Sequence, residues 1–302
     1  MVACIRDYFA ADGVLEVETP LLCAATAMDP HLQSFSVPAM GSVRYLQTSP
    51  EFPMKRLLAA GSGSIYQICK AFRVDECGGR HNPEFSLLEW YRVGWSAAQL
   101  QQEVVELVQR VAQLFTVAWP VHPALSYQAL FARELGIDPF VVSDEVLQSA
   151  AQQHLGEALP QLDRFGWLDL LMSQVLEPRL PQGLQMVVDF PAEQAALARK
   201  TQNADGHWVA QRFELYVNGI ELANGYQELT DAVEQRARFN EDNAQRRALG
   251  LTELPLPEAL LQALEAGLPD CAGVALGLDR LLMLVLEKSR LADVLSFDFA
   301  NA

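Results

Sequence analysis

The chain opens with an amphipathic pattern over residues 2–12, where Ile5, Tyr8 and Phe9 fall on one side of a helix that runs into Gly13. VLEVETP, residues 14–20, then reads as a strand closed by Pro20. Short strands are expected around residues 35–37 and 43–47, a turn and helix over TSPEFPMKRLLAAG, and a strand over residues 64–73. Gly61, Ser62 and Gly63 lack a following GK[ST] and precede a strand, so they read as a helix stop and not as a phosphate loop. Ser96 caps a long helix in which Leu100, Val104, Leu107, Val108 and Val111 keep helical spacing up to about Phe115; this face is core. Residues 121–183 read as a helical insertion punctuated by Pro160, Pro178 and Pro181. Beyond it, QMVVDF (185–190) is a buried strand, and RFELYV and IELA flank Asn218-Gly219, a strong two-residue hairpin signal. A charged surface helix is expected over 231–248, then a loop and short helix over 251–266. GVALGLDRLLMLVLE reads as an apolar strand with small residues, followed by a helix starting at Asp279 and Arg280.

Half of the 302 residues are hydrophobic and no repeat interrupts them, which predicts a folded globular protein with a large core. The net charge of -16 argues against broad binding to nucleic acid, because phosphate contacts need a basic face. Five scattered cysteines, never in CxxC spacing, predict neither a disulfide framework nor a structural zinc site and fit a reducing cytoplasm. The longest apolar run is broken by Asp279 and Arg280, so no membrane span is expected.

Chemistry concentrates in FRVDECGGRHNPEFSLLEWY, residues 72–91, where two strand-like flanks enclose a turn containing Gly78, Gly79, Asn82 and Pro83. Arg73, Arg80 and His81 suit a phosphate chain there; Glu84 and Glu89 suit a cation, with a charged sheet edge as the alternative. In the second hairpin a two-residue turn sets Val217 opposite Ile220 and Tyr216 opposite Glu221, leaving Glu214 diagonal to Glu221. Such partners lie roughly 7–8 Å apart, and paired carboxylates hold a hard cation such as Mg²⁺; a solvated acidic face is the alternative. Asp279 and Arg280 bring a helix N-terminus and a guanidinium to one place, which favours an anion.

Three segments together resemble the catalytic domain of class II aminoacyl-tRNA synthetases, in particular the lysine-type subgroup. GVLEVETP (13–20) is similar to the first class motif, FRVDECGGRHNPEF to the second and GVALGLDR (273–280) to the third, while TSPE, LEWY and GIELANGYQEL match the lysine-type pattern. The resemblance implies an α+β fold built on an antiparallel β-sheet flanked by helices. One catalytic domain over residues 1–302 is expected. Only residues 1–12 precede the first motif, so no anticodon-binding domain is expected. Ala275 stands where the family usually has glycine, and with LEWY it brings the chain closer to truncated lysyl-tRNA synthetase paralogues that join β-lysine to elongation factor P.

The resemblance also implies site roles. Arg73 would hold the α-phosphate and the substrate carboxylate, and Arg280 would meet the phosphate tail and stack on adenine; these two are the expected catalytic residues. Phe85 would form the opposite adenine wall, with Asp75, Glu76, His81, Asn82, Leu222 and Gly277 completing the ATP site, although Val74 and Asp75 vary the usual R-x-E signature. Glu214 and Glu221 would hold Mg²⁺. Glu51, beside Ser49 and Pro50, would take the backbone-side amine of a lysine-like substrate. Glu89, Tyr91 and Glu228 would take the terminal amine, and Ala275 would narrow the pocket floor. ATP and Mg²⁺ are the implied cofactors, and lysine or β-lysine and elongation factor P the implied partners. A cytoplasmic homodimer without a tRNA partner is expected. The rivals are a free-standing lysyl-tRNA synthetase, a catalytically silent amino-acid sensor and an asparagine-synthetase-type ligase.

Overall fold

The computed structural model describes residues 1–74 and 76–302. Helix α1 (Val2–Ala11) ends at Gly13, whose φ of +68° lets the chain turn into strand β1 (Leu15–Glu16). The predicted strand over 14–20 is therefore reduced to two residues: only Leu15 and Glu16 find a partner, parallel to Ile65 and Tyr66, at the edge of the sheet. Strands β2 (Leu22–Cys23), β3 (Ser36–Ala39) and β4 (Ser42–Leu46) form a separate small sheet in the order β2-β4-β3. Helix α2 (Glu51–Ala59), strand β5 (Ile65–Phe72) and strand β6 (Glu84–Val93) follow, then α3 (Ala97–Leu114), closed at its start by a reciprocal Ser96–Gln99 capping box.

The stretch from 121 to 183 carries the short strand β7 (Leu125–Ser126) and three helices, α4 (Tyr127–Leu135), α5 (Asp144–Leu155) and α6 (Arg164–Leu171). A π turn (Met172–Leu176) and a 3₁₀ turn (Glu177–Arg179) complete it. These helices build their own apolar cluster around Tyr127, Phe131, Trp167 and Leu171 and close it on strand β8 (Leu184–Pro191). Next come β9 (Lys200–Gln202), β10 (Trp208–Val217), β11 (Ile220–Gln227), α7 (Ala232–Ala248), α8 (Glu258–Gly267), β12 (Cys271–Gly277) and α9 (Leu278–Val285).

The large sheet runs β1-β5-β6-β12-β11-β10-β8-β7, with β9 paired to β10. Its body is antiparallel, and only the outer pairs β1–β5 and β7–β8 are parallel. The main core lies between the sheet and α1, α3 and α9, with Leu88, Trp90, Val104, Val108, Val274 and Leu276 fully buried. Helix α7 is not a wholly solvated helix, because Gln235, Phe239, Asn243 and Arg246 are buried along it. The opposite side of the sheet opens into a cavity of about 830 Å³.

Candidate active site

Strand β12 makes the floor of this cavity, and period-two alternation decides which residues reach it. Ala272, Val274 and Leu276 join the core, while Gly273, Ala275 and Gly277 line the cavity. A β-carbon at Gly273 would stand 2.3 Å from Tyr91 Cε1 and 2.5 Å from Glu228 Oε1, so the absence of a side chain there makes room for both. Ala275 sits between Glu89 on β6 and Asn224 on β11.

One end of the cavity gathers acids. Glu89 is 2 % exposed; its Oε2 accepts from Ser49 Oγ at 2.9 Å and its Oε1 from Tyr91 OH at 2.7 Å. Ser49 Oγ in turn accepts from the Glu51 backbone N–H at 3.0 Å, so the turn after Pro50 that starts α2 fixes both acids. Burial, helped by the nearby Glu51 charge, pushes the Glu89 carboxyl up to about 8. Burial likewise raises Glu228 to about 7, against the opposing pull of Lys55. Lys55, absent from the sequence-based site, sits between these acids with Nζ 2.6 Å from Glu51 Oε1 and 2.6 Å from Glu228 Oε2. Burial works against its charge, but Glu228 and Glu51 overcome this and hold its pKa above the ordinary lysine range. Its i,i+4 spacing from Glu51 on a helix was the available signal for that pair.

The other end is cationic. Arg73 Nη1 donates to Glu76 Oε1 at 2.8 Å, its guanidinium lies 5.0 Å from the Phe85 ring centroid, and its buried Nε has no partner among the described residues. Burial raises the Glu76 carboxyl, yet Arg73 beside it wins and the net shift is downward. His81 lines the same end and is shifted down by burial and by Arg280. Arg280, in the first turn of α9, donates to Glu221 O at 2.9 Å and Arg80 O at 3.3 Å and lies 3.6 Å from Glu221 Oε2. Asp279 accepts from the Ser86 N–H at 2.6 Å, locking that helix start against β6. Asn82 lines the cavity, with its side chain held by Glu84 O and the Phe299 N–H. Asp75 lies outside the described residues. Glu84 is not part of the site: it is exposed and lies 3.7 Å from Lys70.

The second hairpin forms with Asn218 and Gly219 at φ of +53° and +72°, and Val217 and Tyr216 face Ile220 and Glu221 as expected. The register then slips between Tyr216 and Leu215, because β11 carries one extra residue, and Glu214 pairs with Asn224. The simple diagonal between Glu214 and Glu221 is therefore replaced by a bulge, which re-aims the side chains next to it. Glu214 is buried and held by Arg212 and Tyr216, whereas Glu221 and Leu222 line the cavity. Burial and the Glu221 charge raise Glu214, and burial with Glu221 and Glu214 raises Glu177 to about 8. This crowding of negative charge, in hard oxygen donors, fits a divalent cation at Glu221 with Glu214 behind it. Among the described residues no three His, Cys, Asp or Glu side chains are arranged to enclose a metal without the substrate. Arg212, which lines the cavity and holds Glu214, is a further member of the site that pattern reading missed.

The family model described as tRNA synthetases class II (D, K and N) matches residues 1–300. The chain is 46 % identical to the elongation factor P--(R)-beta-lysine ligase of Pectobacterium atrosepticum, covering all of this chain and 94 % of that protein. It is 47 % identical to the protein of that name from Sodalis glossinidius over the same shares, and 49 % identical to that of Vibrio cholerae over 99 % of this chain and 93 % of the relative. With the second and third motif segments converging on one cavity, a family match over nearly every residue and relatives this similar along their length, the chain belongs to the class II tRNA synthetases of the D, K and N group.

Proposed function

We propose that the protein is a ligase that activates (R)-β-lysine with ATP and transfers it to a lysine side chain of elongation factor P. The observation that carries this reading is the polarity of the cavity, with Glu51, Glu89 and Glu228 at one end of an uncharged floor and Arg73 and Arg280 at the other. It is supported by the names of the relatives. The acids receive the two ammonium groups of the amino acid, Glu51 the one nearer the carboxylate and Glu89, with Tyr91 and Glu228, the terminal one. Arg73, which lines the cavity, holds the amino-acid carboxylate and the α-phosphate in one guanidinium plane. A carboxylate oxygen attacks the α-phosphorus and pyrophosphate leaves in line, giving the mixed anhydride. The neutral amine of the acceptor lysine then attacks the acyl carbon, AMP departs and the amine proton goes to water, leaving an amide.

No protein nucleophile is needed, so catalysis is positioning and charge neutralisation. Phe85 supplies an apolar wall for the base, with His81, Asn82, Glu76, Leu222 and Gly277 around it, and Arg280 at the phosphate tail. Glu221 and Glu214 would hold Mg²⁺, which screens the phosphate charges when bound. We place the protein in the cytoplasm as a homodimer that does not use tRNA. Unpaired Cys4, Cys23, Cys69, Cys77 and Cys271, and exposed Leu15, Leu21 and Leu22 near the first motif, support the first two points. Among the described residues no helix is long and apolar enough to cross a membrane. The test is ATP–pyrophosphate exchange with α-lysine and β-lysine, followed by transfer to elongation factor P or to tRNA. Exchange favouring β-lysine and label on elongation factor P are expected; label on tRNA alone would replace this reading with a free-standing synthetase.

A further inference from the structure

We propose that Lys55 is a positioning residue that sets the charge of the amine pocket, its fixed ammonium tying Glu51 to Glu228 so that the pocket is matched to an amino acid with two ammonium groups. The inference rests on the reading of a diamino-acid substrate given above. Three carboxylates, Glu51, Glu89 and Glu228, meet at this end of the cavity, and each of Glu89, Glu228 and Lys55 is no more than 2 % exposed. With Lys55 among them, the three carboxylates when ionised leave two negative charges, the number that two ammonium groups neutralise. Three uncompensated carboxylates at this depth would instead share a proton, since like charges in a low-dielectric site do not all ionise. The geometry is built for compensation. Nζ lies 2.6 Å from one acid on its own helix and 2.6 Å from another at the end of β11, and the lysine is buried.

The other groups facing the cluster do not supply this charge. Tyr91 and Tyr226 are raised by burial and stay neutral, as does the buried Cys271 thiol. Arg199 acts on Glu228 from outside, where it is paired with Asp270 at 2.8 Å. Glu89 already has both oxygens hydrogen-bonded, to Tyr91 and Ser49. Lys55 is thus the cation that holds Glu51 and Glu228 side by side before substrate arrives.

The experiment compares the pH dependence of kcat/KM for β-lysine activation, by ATP–pyrophosphate exchange, in wild type, Lys55→Met and Lys55→Met/Glu228→Gln. Loss of a cation this close to a carboxylate raises its pKa by about one unit or more. Lys55→Met is therefore expected to move the acidic limb of kcat/KM to higher pH by about that amount. Activity at neutral pH should fall about tenfold, mainly through KM, and recover as the pH is raised. The double variant removes one cation and one anion together, so its acidic limb returns to the wild-type position although its plateau is lower. If Lys55→Met does not fold, the double variant decides alone: folding with an unshifted limb supports the proposal, while failure to fold or a displaced limb overturns it. A folded Lys55→Met with an unmoved limb, or a loss confined to thermal stability, also overturns it. Wild-type protein that activates no diamino acid would sink the proposed reaction and this role with it, whereas active wild type with an unmoved limb sinks the role of Lys55 alone.

Discussion

At the scale of single residues the cavity floor is the most sensitive place. Ala275 presents one methyl group between Glu89 and Asn224, flanked on its strand by two glycines that also face the cavity. A β-amino acid carries its amine one carbon further from the carboxylate than an α-amino acid, so under the proposed function this methyl is expected to discriminate between them. Pocket differences of that size are worth about 1–3 kcal/mol, or roughly ten- to two-hundred-fold in specificity. Ala275→Gly is expected to improve kcat/KM for α-lysine relative to β-lysine within that range, and an unchanged ratio would move discrimination to Ser49 and Glu51. Arg280 makes the converse case. It donates to one backbone oxygen of β11 and one of the turn at Arg80, so Arg280→Ala should cost more than tenfold in ATP use and less than about 1 kcal/mol of stability. Early melting with normal turnover of the folded fraction would contradict this. Most of these residues were legible because the motifs are local in sequence. Lys55 was not, because a lysine on an amphipathic helix looks like surface until the fold brings Glu228 over it.

At the scale of elements, the two hairpins show what pattern can and cannot specify. Strand identity and the Asn218-Gly219 turn followed from alternation and turn chemistry, but the bulge beyond Tyr216 did not, since one extra residue in β11 leaves no mark on hydrophobic spacing. The first-motif strand was overread for the related reason that β-formers still need a partner, and the pairing with β5 ends where the Val17 N–H donates to Tyr66 O. The hairpin turn also carries a tertiary constraint. Gly219 has φ of +72°, and a β-carbon there would lie 2.5 Å from Glu177 O, so the 3₁₀ turn after the helical stretch seats directly on it. Gly219→Ala should therefore cost more than the roughly 1–2 kcal/mol of left-handed backbone strain alone. Gly206→Ala, with similar φ and open space around it, should cost no more than that strain. Urea unfolding of both variants measures the difference, and equal losses would deny the contact with Glu177.

At the scale of the whole molecule, burying Glu89 and Glu228 makes stability depend on pH in an unusual direction. Glu89 and Glu228 are buried with carboxyls raised to about 8 and about 7, above their unfolded values, so between the two limits the native state binds more protons than the unfolded chain. Their contribution is complete below the unfolded carboxylate range and is lost as pH rises through about 7 to 8, by up to about 1.4 kcal/mol per pH unit for each proton. The substrate-free protein should unfold at lower urea at pH 8.5 than at pH 6, and Glu89→Gln should flatten that slope; a wild-type midpoint that rises with pH would refute the assignment. The order of strands has a different kind of consequence. Strand β12 is the last strand in the sequence, yet it lies in the middle of the large sheet, hydrogen-bonded to β6 on one side and β11 on the other. A growing chain on the ribosome must hold β6 with an open edge for well over a hundred residues of synthesis, and β11 for about forty. Those edges are templates for wrong pairing, and the floor of the cavity exists only once β12 has slotted between them. Catalytic competence and escape from aggregation therefore arrive in the same late folding step, and a nascent chain stalled before residue 271 would be a client for chaperones with no site to offer.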